Sequence, residues 1–157
     1  MRYISTRGTA PALDFEGAML TGLARDGGLY VPETWPTFTP EDIAAMRGLS
    51  FEEVAFRVLQ PFVAGSFDDE TLKGCIERAY ASFGHVARCP VVQSGDNDFV
   101  LELHHGPTLA FKDVAMQLIG QMFQVALGRS GKRATIVGAT SGDTGSAAIE
   151  AFRGLDA

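Results

Sequence analysis

The segment Leu103-His104-His105-Gly106-Pro107-Thr108-Leu109-Ala110-Phe111-Lys112-Asp113 separates two hydrophobic rhythms. An extended apolar run, Phe99 to Leu103, leads into it. A helical pattern of Val114, Leu118, Met122 and Val125 leads out. Gly106 and Pro107 break the strand, so Lys112 falls in the first turn of the next helix. That end of a helix carries partial positive charge and disfavours an ammonium. The apolar neighbours Phe111 and Val114 also penalise the charged form. Both effects favour a neutral amine, the form that attacks carbonyl compounds to give Schiff bases. An exposed lysine beside Asp113 at a helix start is the plainer reading of the same residues.

A second informative loop is Gly138-Ala139-Thr140-Ser141-Gly142-Asp143-Thr144-Gly145-Ser146. It joins a short apolar stretch, Ala134 to Gly138, expected to be a buried strand, to a helix expected from Ser146 to about Arg153. Backbone N–H groups and hydroxyls then gather at a helix N-terminus, which suits a carboxylate or a phosphate. The loop would also lie at the carboxyl end of a strand, where open α/β sheets place ligands. The alternative is a helix capped by Ser141 or Asp143.

The rest of the chain reads as a helical unit followed by this α/β rhythm. Asp14 can cap a short helix carrying Phe15, Ala18, Met19 and Leu23, with Gly27 as its stop. Gly28 to Pro32 is extended. Thr39-Pro40-Glu41-Asp42 places a cap before a proline at the first helical position. Ser50 and Glu53 form a capping box for a helix presenting Val54, Val58, Leu59 and Phe62. Asp68 opens another, with Leu72, Cys75, Ile76, Ala79, Tyr80 and Phe83 at helical spacing. Beyond Pro90, Val91 to Gln93 and Phe99 to Leu103 flank a turn-rich loop and predict a hairpin. The helix after Lys112 is expected to reach about Ser130. Few strands remain for a parallel sheet, and the chain stops at Gly154 to Ala157, where another strand should begin. The α/β part is therefore expected to be cut short.

With 157 residues, 46% hydrophobic and 20% charged, the composition is that of a globular protein. A net charge of −6 argues against nucleic acid as a partner. The apolar runs are too short to span a membrane, and Met1 to Thr6 lacks the apolar core of a secretion signal. Cys75 and Cys89 form no Cys-x-x-Cys pair, and Cys75 is expected to be a buried thiol. A cytoplasmic protein acting on small molecules is the expectation. His104 and His105, adjacent on an extended segment, are expected to point to opposite sides. With Glu102 and His85 they invite a metal reading, but no paired ligand spacing supports one, so no metal site is expected. Gly128 to Arg133 matches a phosphate-binding loop only in part, and precedes a strand instead of following one.

Four segments together resemble the threonine synthases, of the pyridoxal-phosphate (PLP) fold-type-II superfamily. They are Tyr3 to Gly8, Asp26 to Pro32, Glu102 to Asp113 and Gly138 to Ala148. The resemblance implies an α/β class, with a mainly helical domain over residues 1–88 and an incomplete PLP-binding domain with a parallel or mixed sheet over 89–157. It implies that Lys112 is the Schiff-base lysine and later moves protons, with Phe111 and Asp113 flanking and directing it. Thr140, Ser141, Gly142, Asp143 and Thr144 would receive the substrate α-carboxylate. Asp143 stands where many relatives carry Asn beside the cofactor's 3′-oxygen. An ionised carboxylate would repel that oxygen, so Asp143 must be protonated or turned to another donor. The family converts O-phospho-L-homoserine and water to L-threonine and phosphate. Its cofactor-phosphate loop and the hydroxyl residue near the pyridine nitrogen lie beyond Ala157. The chain alone is thus expected to hold PLP weakly and not to turn over. Two other readings stand beside this one: another fold-type-II lyase acting on a hydroxy or phospho amino acid, and a non-catalytic module that binds an anion or amino acid. The sequence leaves the oligomeric state unknown.

Overall fold

Asp26 gathers the N-terminal segments around one carboxylate. Its Oδ1 accepts from the Ser5 hydroxyl at 2.7 Å and the Gly28 N–H at 3.0 Å. Its Oδ2 accepts from the Thr9 N–H and hydroxyl and from the Ala10 N–H. Around this knot, β1 (Tyr3–Ser5) pairs antiparallel with β2 (Tyr30–Pro32), Ile4 opposite Val31. Tyr3 also stacks edge-on with Phe15, and Phe15 with Phe67, each pair at 5.9 Å between ring centroids. The computed structural model describes residues 1–156. These divide into two compact units, Met1–Lys73 and a second from Gly74 onward.

The first unit also holds α1 (Phe15–Thr21), α2 (Pro40–Ala44) and α3 (Phe51–Val63). The Asp14 carboxylate caps α1 by accepting the Gly17 N–H. Both Thr39/Asp42 and Ser50/Glu53 form capping boxes, as the sequence pattern requires. One boundary differs from expectation. Helix α1 ends at Thr21 and not near Gly27, because Gly22 takes a positive φ and returns its N–H to Ala18. Leu23 is thereby released to bridge Leu29.

Helix α4 (Asp69–Tyr80) crosses the division between the units. Its Cys75, Ile76 and Ala79 are buried. The Tyr80 hydroxyl donates to the Val114 carbonyl at 2.9 Å, and burial pushes its pKa up to about 12. The expected hairpin is present as β3 (Val91–Gln93) and β4 (Phe99–Leu101), with Val92 opposite Val100. Then come α5 (Asp113–Ser130) and α6 (Asp143–Phe152). Helix and strand together make an α/β chain, but both small sheets among the described residues are antiparallel. The expected parallel or mixed sheet is not formed here. Residues 134–138 carry no ladder, and Ile136 and Val137 are exposed. A parallel strand exists only through a neighbouring strand, and none of the described residues provides one. Ala134 and Ile136 instead line an apolar cleft of about 190 Å³ with Phe123, Leu127 and Phe152.

Helices α5 and α6 pack closely. Ala126, Ala147 and Ala151 are almost fully buried, and Phe123 meets Phe152 edge-on at 5.9 Å. Gly120 faces the Ala151 carbonyl so closely that any Cβ would collide with it. The helices run in the same direction, since Lys112 meets Asp143 at an offset of 31 residues and Gly120 meets Ala151 at the same offset.

Two measurements follow. The Ser5 hydroxyl and the Gly28, Ala10 and Thr9 N–H groups hold the Asp26 carboxyl well below the usual carboxylate range. A folded-state pKa below the unfolded value of about 3.9 stabilises above that value and ceases to do so as pH falls toward the folded pKa. Thermal melting should therefore drop as pH falls below about 4, and Asp26→Asn should flatten that dependence while lowering the melting temperature at neutral pH. Gly120→Ala should cost about 1–3 kcal/mol in urea denaturation, because the collision is with backbone and cannot be relieved by a rotamer.

Candidate functional site

Lys112 sits immediately before α5 with helical backbone angles, and its carbonyl accepts the first helical bond from Met116 at 2.9 Å. The loop that leads to it is closed by Asp113, whose side chain is fully buried. The Asp113 carboxylate accepts from the Thr108 N–H and the Thr108 hydroxyl, both at 2.8 Å. Between them Leu109 adopts a φ of +63°, a left-handed conformation costing a side-chain-bearing residue about 1–2 kcal/mol. The two bonds to a buried carboxylate hold that strained turn shut. Lys112 is thus aimed by its neighbour.

The Lys112 Nζ donates to Asp143 Oδ2 at 2.9 Å and lies 4.3 Å from the centre of the Phe111 ring. The Lys112 side chain is 24% exposed, that of Asp143 62%. An ion pair and a ring face both suit an ammonium. Asp143 in turn is held below the usual carboxylate range, first by its hydrogen bond from Lys112. Its carboxylate is turned toward the Lys112 amine.

The loop before α6 also differs from expectation in detail. Helix α6 begins at Asp143 and not at Ser146, and neither Ser141 nor Asp143 caps it. The cap position is Gly142, which has no side chain to offer. The Thr140 hydroxyl does the local work, accepting the N–H groups of Gly145 at 3.0 Å and Gly142 at 3.3 Å. Thr140 therefore shapes the loop, and the helix start stays open to an anion near Ser141 and Thr144. The fold brings Lys112, Phe111 and Asp143 together, with Asp113 directing Lys112 from behind.

Residues 102–105 depart from strand geometry. His104 and His105 do not point to opposite sides; their rings lie 4.5 Å apart at 30°. Strand β4 ends at Leu101, and the alternation of a ladder ends with it. Thr108 and Gly120 have roles here that sequence reasoning did not assign. The signal for Thr108 is a polar residue five positions before a helix-starting Asp, and Gly120 shows only as a glycine inside a helical pattern.

A family model described as the threonine synthase N terminus matches residues 2–80. The chain belongs to the threonine synthase family. It is 58% identical over 156 residues to the threonine synthase of Pseudomonas aeruginosa, covering 99% of this chain and 33% of that protein. The threonine synthase of Saccharomyces cerevisiae is 43% identical over 97% of the chain and 32% of its own length. Among solved structures, the PLP-bound threonine synthase of Brucella melitensis superposes with a TM-score of 0.97 at 59% identity, over 99% of this chain and 34% of that one. The chain spans about a third of the length of these relatives. PLP is thereby a cofactor of this family, and the residues here suit it. They offer an amine whose partner is a single exposed carboxylate, beside a helix start without a side-chain cap. The Gln117 Nε2, one turn into α5, is a buried donor without a partner among the described residues.

Replacing Asp113 by Ala removes both acceptors of Thr108 and leaves its N–H unpaired. The loss should be about 1–3 kcal/mol in chemical denaturation, with faster proteolysis between Gly106 and Lys112.

Proposed function

We propose that this chain supplies the lysine-bearing part of an enzyme that converts O-phospho-L-homoserine and water to L-threonine and phosphate. The observation that carries this reading is the pairing of Lys112 with Asp143 across the two loops, in a chain of the threonine synthase family. Lys112 would hold PLP through its amine. When bound, PLP supplies an electron sink for the negative charge left by deprotonation next to the substrate's amino group.

The chain's own residues account for the remaining work at this end of the site. Asp143 accepts a hydrogen bond from the Lys112 Nζ and keeps it between the two loops until it is used. After the amine is released by an incoming amino acid, Lys112 Nζ is the proton carrier, taking protons from substrate carbon and returning them. Thr140 holds the loop by accepting the Gly142 and Gly145 N–H groups, and Ser141 and Thr144 present their hydroxyls to the substrate α-carboxylate. Phe111 closes one side of the lysine with its ring face.

The proposal includes the domain division, 1–88 mainly helical and 89–157 part of the PLP-binding α/β domain. It also includes completion of that domain by strands outside these residues, for which the exposed Ile136 and Val137 are the support. A cytoplasmic setting accords with the free thiols of Cys75 and Cys89. Among the described residues no helix is long and apolar enough to cross a membrane.

The test is to mix the purified protein with PLP, reduce with borohydride, and map the modified peptide by mass spectrometry. One label per chain on Lys112 is expected, and Lys112→Ala should abolish it. Modification of another lysine in preference to Lys112 would overturn the assignment.

A further inference from the structure

The chain contains three histidines, and the fold collects all of them in one place. His85 lies just beyond α4, and His104 and His105 follow β4. The Gly84 N–H donates to the His105 carbonyl at 2.8 Å, which ties the two segments together. The His85 and His105 rings are then 5.0 Å apart and those of His104 and His105 4.5 Å. Glu102 completes the group, with its Oε2 at 2.7 Å from His105 Nε2. One ligand atom each from Glu102, His104 and His105 lies within 4.8 Å of the other two.

We propose that Glu102, His104 and His105 form a binding site for a divalent transition-metal ion of the zinc type. Two imidazoles and one carboxylate are the donor set of open zinc sites, where water fills the fourth position. Ligands on one tetrahedral zinc ion are about 3.3 Å apart, given metal–ligand distances of about 2.0–2.1 Å. The exposed His104 side chain can close the remaining distance by rotating. Imidazole nitrogens favour such an ion over magnesium or calcium, which take oxygen ligands. His85 accepts the Ala87 N–H on its Nδ1 at 3.1 Å and stands beside the site as a ring neighbour. The residues suggested this set from the sequence alone, but their spacing matches no metal motif, so no site was expected there. The competing account is that Glu102 and His105 merely fasten the loop. That account assigns nothing to His104.

The experiment is a titration of the purified protein with Co²⁺, read by its visible absorption, followed by displacement with Zn²⁺. One tightly bound ion per chain is expected, with a tetrahedral or five-coordinate cobalt spectrum. Binding should weaken roughly tenfold or more in His104→Gln and in Glu102→Gln. Lys112→Ala should bind as the parent does, which separates this site from the lysine loop. His104 is exposed, so His104→Gln should keep the parent's circular dichroism. Absence of a cobalt spectrum, or equal affinity in His104→Gln and the parent, would overturn the site.

Discussion

The contact on which the candidate site depends is the close approach of α5 and α6 at Gly120. Two parallel helices whose axes stay close along their length hold their N-terminal ends together. The absence of a side chain at Gly120 lets the Ala151 carbonyl come against α5, and Ala126, Ala147 and Ala151 keep the seam narrow. At the far end Phe123 and Phe152 close it edge-on. At the near end the same offset leaves Lys112 and Asp143 within hydrogen-bond distance. Apolar packing thus sets the position of a charged pair, and the pair itself, with an exposed carboxylate, adds little to stability.

The second constraint is local and electrostatic. A buried carboxylate must find donors or leave its charge uncompensated. Asp113 finds both of its recorded partners on Thr108, and in doing so encloses the strained Leu109. The turn that delivers Lys112 is therefore held by a buried carboxylate next to it in the chain. Asp26 plays a comparable part in the first unit, where one carboxylate replaces the long ladder that β1 and β2 are too short to provide.

Much of the helical structure was legible in the residues. Asp14, Thr39 and Ser50 each cap the helix they precede, and the Glu53 return bond is where the capping box puts it. The β3–β4 hairpin follows from two β-prone runs around a turn-rich loop. The misses have physical causes. Helix α1 stopped at Gly22, which takes a positive φ, and Leu23 bridges Leu29 instead of continuing the helical spacing. Residues 134–138 have strand composition but no partner strand among the described residues, and composition cannot create a ladder. Helix α6 began three residues early because the Thr140 hydroxyl, and not Ser141 or Asp143, accepts the N–H of its first turn.

The sequence by itself determined the features whose causes act within four or five residues: helix starts, the hairpin turn, and Lys112 at a helix N-terminus. Its motifs also named the family through the resemblance they carry. Tertiary structure alone decided that Lys112 is paired with Asp143, that Gly120 is the point of closest approach, and that three histidines separated by up to twenty residues share one cluster. The physical reason is range. Caps and turns are fixed by bonds that a short segment makes with itself, whereas a pair 31 residues apart forms only after two helices have packed in one register.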